Sequence, residues 1–117
     1  MKTAAQAYGN VANQISSPRE LEANLLLDAA SRLQAAKDAP GEPLQNALTH
    51  NRKLWTLLLS AVANKDNPLD AAIRQNVANL GLFVCKQTLS AQIDPKPANL
   101  LPLIQINREI AAGLLGR

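Results

Sequence analysis

A chain of 117 residues that is 47% apolar but only 3% aromatic, with a formal charge of +3, fits a single domain over residues 1–117 with one core. Leu and Ala outweigh the β-branched residues, which favours helix, and the longest apolar runs are too short for membrane insertion. The lone Cys85 excludes an internal disulfide, and with His50 the only histidine no zinc-type ligand set can form.

The first stretch, MKTAAQAYGN, lacks the apolar core of a signal peptide, and the expected location is cytoplasmic. From about Thr3 to Ile15, the residues Ala4, Ala7, Tyr8, Val11 and Ile15 recur at helical spacing. Gly9 and Asn10 weaken what would be a short first helix, so its stability must come from docking.

Ser17-Pro18-Arg19-Glu20 reads as a capping box with proline at the first helical position. The helix that follows, to about Asp38, places Leu21, Leu25, Leu26, Ala29, Leu33 and Ala36 on one face. Leu27 falls outside that face and is a candidate exposed apolar side chain. Ala39-Pro40-Gly41-Glu42-Pro43 then forms a turn, and its shortness implies an antiparallel neighbour.

Glu42 to Asn64 is the longest amphipathic run. At about 100° per residue, Leu44, Ala47, Leu48, Trp55, Leu58, Leu59 and Val62 share one broad face, with Leu54, Leu57 and Ala61 extending it. Such an arc is too wide for one neighbouring helix to cover. Asn51 lies in its middle, and Trp55, one turn on, is expected in the core.

Asn67-Pro68 with Asp70 repeats a start signal, and a helix is predicted from Pro68 to about Leu89. Its main face carries Leu69, Ala72, Ile73, Val77, Leu80, Phe83 and Val84. A second, thinner stripe of Ala71, Ala78, Leu82 and Leu89 points elsewhere, toward a second buried side or another chain. Cys85 lies on a mostly polar side and reads as a free thiol without a partner base.

Asp94-Pro95-Lys96-Pro97 reads as an extended connection, and a last helix runs from near Asn99 to about Leu115, with Gly116 as its stop. Its apolar arc holds Leu100, Leu103, Ile104, Ile110, Ala111, Leu114 and Leu115. The fold class is therefore all-α: a small bundle of about five helices, four main ones plus the weaker N-terminal one.

Asn51-Arg52 and Asn107-Arg108 occupy equivalent places on two helices, each with the amide inside the apolar arc and the guanidinium at its margin. A buried amide left without partners costs about 1–3 kcal/mol. Each asparagine could hold a neighbouring helix end, meet the other across a helix pair, or stay open for a partner's backbone. The matched pair predicts that these two helices pack together at the centre of the bundle.

Nothing points to catalysis. There is no HExxH, GxGxxG, Walker loop or cysteine–histidine pairing, so no catalytic residue, cofactor or metal site is expected, and the chain reads as a non-enzymatic domain that binds another helix. Its Lys and Arg are scattered singly rather than gathered in a patch, which speaks against direct nucleic-acid binding.

Ser17-Pro18-Arg19-Glu20, Asn51-Arg52-Lys53-Leu54-Trp55 and Ile106-Asn107-Arg108-Glu109-Ile110 with Gly113-Leu114, in that order and with Tyr8 near the N-terminus, resemble the FlaF family of flagellar biosynthesis proteins over essentially the whole chain. The resemblance implies a small cytoplasmic factor of alphaproteobacterial type, needed for flagellin to be made and secreted and for motility, and working alongside the translational regulator FlbT. The expected partner is flagellin, through its amphipathic terminal segments, held by helix-in-groove binding in the manner of an export chaperone. The alternative is post-transcriptional control of flagellin synthesis, with FlbT or on flagellin mRNA. Candidate partner-binding residues are Tyr8, Arg19, Glu20, Leu27, Arg52, Leu82, Leu89 and Arg108. Ser17, Pro18, Asn51, Trp55 and Asn107 are expected to set core and register.

Overall fold

The computed structural model describes residues 17–116, which form four helices: α1 (Pro18–Ala36), α2 (Glu42–Ala63), α3 (Ala71–Ile93) and α4 (Pro97–Leu114). The weak first helix expected over Thr3–Ile15, with Tyr8, lies outside the described residues. Short connections make the helices run up and down in turn. In cross-section they form a ring in which α1 packs on α2 and α4, and α3 packs on the same two.

Local chemistry explains most of the helix ends. Ser17 Oγ accepts from the Glu20 backbone N–H at 3.2 Å, with Pro18 following at the first helical position. Gly41, at φ 138° and ψ −156°, turns the chain into α2 in a conformation almost restricted to glycine. At the far end of α2, the Asn67 side-chain amide donates to the Ala61 carbonyl while its oxygen accepts from the Leu69 N–H. Asn67 is thus spent on closing α2 and forming a turn, so α3 starts at Ala71, later than the Asn67-Pro68 signal predicts, and continues past Leu89 to Ile93. Pro97, in turn, opens α4 two residues before Asn99, whose amide reaches back to the Asp94 carbonyl at 2.8 Å.

The core is one cluster with Trp55, Leu26, Leu33, Leu44, Leu48, Leu100 and Leu103 fully buried in it. Several faces differ from the sequence reading. On α1, Ala23 and Ala30 are buried while Leu25 is 37% exposed, so the buried face is rotated toward the small residues, which let neighbouring helices approach closely. Leu27 consequently turns inward: it is half-buried against the core and not the exposed side chain expected. Leu57, assigned to the broad face of α2, is exposed. On α3, Ile73 and Phe83 are exposed, and Gly81, Thr88 and Ala91 take the buried positions.

Gly81 is buried beneath the Leu59 side chain of α2, which occupies the space a Cβ would take. A Cβ would overlap Leu59 Cδ2 and lie 2.8 Å from its Cγ. Thr88 tolerates burial by turning its hydroxyl onto its own helix, where Oγ1 donates to the Val84 carbonyl at 2.6 Å.

The predicted packing of α2 on α4 is also corrected. The two helices lie on a diagonal of the ring, each flanked by α1 and α3, and they meet through long side chains reaching across the core.

Candidate partner-binding surfaces

Those side chains form one buried polar network. Trp55 Nε1 donates to Asn107 Oδ1 at 2.8 Å, while Asn107 Nδ2 donates to Asn51 Oδ1 at 2.6 Å and to the Leu26 carbonyl at 3.3 Å. Trp55, Asn51 and Asn107 are all fully buried. The amides therefore meet across the bundle, and the Leu26 carbonyl that Asn107 reaches is in mid-helix, so neither amide holds a helix end. Three helices are tied at one level, which fixes their register. Within the network, Asn51 Nδ2 has no hydrogen-bond partner among the described residues. This network fills the middle of the bundle with hydrogen-bonded polar contacts rather than an open cavity.

A run of exposed apolar side chains follows the outer face of α3. Leu82, Leu89 and Ile93 are 62%, 59% and 78% exposed. Spaced seven and four residues apart, they line up along one side of the helix, with half-buried Cys85 between the first two. Toward the start of α3 this stripe runs into a groove between α2 and α3 of about 320 Å³, lined by Leu59, Ala63, Ala71, Arg74, Gln75 and Ala78. The antiparallel register of the pair is set by Leu59 against Gly81 and by Gln45, whose amide donates to the Gln92 carbonyl at 3.4 Å. Arg52 lies between those contacts along α2, as Leu82 and Leu89 do along α3. It is exposed and lines a shallow depression with Lys53, Thr56 and Leu57.

A second, smaller pocket of about 150 Å³ sits at the end of the bundle where α1 and α3 begin and α4 ends. Arg19 and Glu109 rim it, and Leu69, Ile73, Val77 and Ile110 contribute its apolar wall. Ile73 and Leu82 are nine residues apart, which places them on opposite faces of α3. Of the candidate partner-binding residues, Arg19 and Leu82 therefore lie on two separate surfaces. Glu20 is exposed and serves the α1 cap through its backbone, and Arg108 is exposed on α4. Burial pushes the Glu22 carboxyl up, and the Arg19 guanidinium opposes this in part.

On the α1–α2 side, Asp28 pairs with Arg32 at 2.9 Å and lies 3.9 Å from His50 Nε2. Burial lowers the His50 pKa, with Arg32 and then Lys53 pushing the same way and Asp28 opposing them. These effects favour the neutral imidazole.

The reading of the sequence missed Ile93, Phe83 and Leu57 as surface residues. Ile93 was legible only to a helix continued past Leu89, for which the absence of any breaker before Asp94 was the available signal. No helix among the described residues is long and apolar enough to cross a membrane.

No curated protein and no solved structure matches the chain. A protein-family match does cover residues 4–114, nearly its whole length, and so includes the capping box, the buried Trp55–Asn107–Asn51 network and the α2–α3 face alike. The chain belongs to the family described as "Flagellar protein FlaF".

Proposed function

We propose that this protein is a cytoplasmic, non-enzymatic flagellar factor that binds flagellin through its amphipathic terminal segments and supports its secretion, in the manner of an export chaperone. The observation that carries the reading is the exposed apolar stripe of Leu82, Leu89 and Ile93 on α3. Isolated exposed leucines are ordinary, whereas a row at helical spacing beside a groove offers an amphipathic helix a place to lie. A segment that folds only on binding stays soluble and remains releasable, because its ordering entropy offsets part of the contact energy.

Calorimetry with full-length flagellin, and with flagellin lacking its terminal helical segments, tests this. Micromolar binding is expected for the first and loss of heat for the second. Binding of FlbT or flagellin mRNA, with none of flagellin, would overturn the reading in favour of post-transcriptional control.

A further inference from the structure

The distribution of charge around the apolar stripe is one-sided. From Pro43 to Asn64 and from Ala71 to Ile93 the chain carries Arg52, Lys53, Arg74 and Lys86 and not one carboxylate. The aspartates and glutamates fall on α1, on α4, in the connections and, as Glu42, at the first position of α2. The cations also flank the stripe. Arg74 lines the α2–α3 groove, with its Nη1 at 3.5 Å from the Asn64 carbonyl and its Nε without a hydrogen-bond partner among the described residues. Arg52 lies along the α2 side, and Lys86 is exposed four residues beyond Leu82 on the outer flank of α3.

We propose that the outer α2–α3 face is a docking site for one amphipathic protein helix whose apolar stripe is bordered by aspartate or glutamate. Leu82, Leu89 and Ile93 take the apolar side chains, and Arg52, Arg74 and Lys86 meet the carboxylates. The absence of any carboxylate from the face gives it a sign as well as a shape, so it rejects cationic helices by repulsion as it accepts acidic ones by attraction. This deepens the flagellin-binding reading, on which it rests for the partner's identity, by adding the charge of the segment held. The small residues Ala63, Ala71 and Ala78 beside the stripe allow a partner backbone to come close.

The test uses the full chain and two synthetic helical peptides of about 18 residues, long enough to cover the stripe. They share one leucine stripe and differ only in flanking Glu or flanking Lys. Fluorescence anisotropy is expected to show the Glu peptide binding at least about tenfold more tightly, as a few rim ion pairs would give. Leu82→Asp with Leu89→Asp should abolish its binding, and Arg52→Gln with Lys86→Gln should shrink the preference severalfold, leaving the part that Arg74 supplies. Every substituted side chain is exposed, and an unchanged thermal transition confirms folding in each variant. Equal affinity for the two peptides overturns the proposal, as does tighter Arg52- and Lys86-dependent binding of single-stranded RNA or phosphatidylglycerol vesicles. The two readings also separate. Flagellin binding that ignores Arg52→Gln with Lys86→Gln sinks the charge assignment and spares flagellin, whereas Glu-peptide binding without flagellin binding does the reverse.

Discussion

Trp55 and Asn107 are joined across the diagonal of the bundle by an indole N–H to carboxamide oxygen hydrogen bond of 2.8 Å, on helices whose backbones are not neighbours. A bond of that kind connects the core's largest side chain to the amide that also holds Asn51 and the α1 backbone.

The two asparagines are consequently unequal. Asn107→Leu keeps the volume roughly constant but strips partners from the Trp55 indole and the Asn51 oxygen at once, each a buried group worth about 1–3 kcal/mol when orphaned. Asn51→Leu leaves the Trp55–Asn107 and Asn107–Leu26 bonds in place and removes a buried amide donor that has no partner among the described residues. Urea denaturation should show Asn107→Leu destabilised by about 2–5 kcal/mol and Asn51→Leu by about 1 kcal/mol or less. Equal losses would mean that the network does not branch at Asn107.

His50 gives the stability a pH dependence of defined sign. Its pKa is lowered in the folded chain, so the unfolded chain binds the proton more readily. The resulting stabilisation is fully present above the ordinary histidine value of 6.5 and is lost as pH falls through that value and then through the lower folded one. Glu22, with its raised pKa, works the other way: it favours the folded state at low pH and loses that contribution as pH rises from 4.5 through its folded value. The informative quantity is therefore the difference between wild type and His50→Gln. Denaturation midpoints of the two should diverge as pH is lowered from about 7.5 to 5, with the wild type falling further.

Gly81→Ala should change sign with its background. Alanine is the better helix former by about 1 kcal/mol, but here its Cβ collides with Leu59, and overpacking of this kind costs about 1–3 kcal/mol. In wild type the collision should win, for a net loss of about 1 kcal/mol. In a Leu59→Ala background only the propensity gain remains, and the same substitution should stabilise by up to about 1 kcal/mol. A double-mutant cycle followed by thermal unfolding reads this coupling directly.

These residues also show where the sequence was legible. Signals at Ser17, Pro18 and Gly41 located helix starts because each acts on the backbone within a few residues, whereas Pro97, read as part of an extended connection, in fact opens α4. The amides of Asn51 and Asn107 announced a buried network, since polar groups inside an apolar arc must be satisfied. Whether they sat on neighbouring or diagonal helices was not legible, because a tryptophan and two amides span a core that backbones cannot. Gly81, Thr88, Ala23 and Ala30 escaped a search for large apolar residues, being buried for their smallness or their self-bonded hydroxyl. On the candidate surface, Leu82 and Leu89 followed from periodicity, but the carboxylate-free α2–α3 pair appears only once the two helices are known to be side by side.

On that surface binding and stability separate. Leu82 and Leu89 are 62% and 59% exposed, and neither belongs to the buried cluster, so replacing them with aspartate removes little burial. Surface substitutions of this kind usually stay within about 0.5 kcal/mol, and the loss of stability should be of that size. A flagellin helix seated on the stripe would instead meet two desolvated carboxylates without partners, each costing enough to weaken binding by about tenfold or more. Val84→Asp, directed into the fully buried core, is the contrasting control and should unfold the protein before any binding can be measured. Motility and flagellin secretion in cells carrying Leu82→Asp with Leu89→Asp should fall while the level of the protein itself is maintained. A level that drops in step with secretion would assign those two leucines to stability, and the stripe would lose its place as the binding surface.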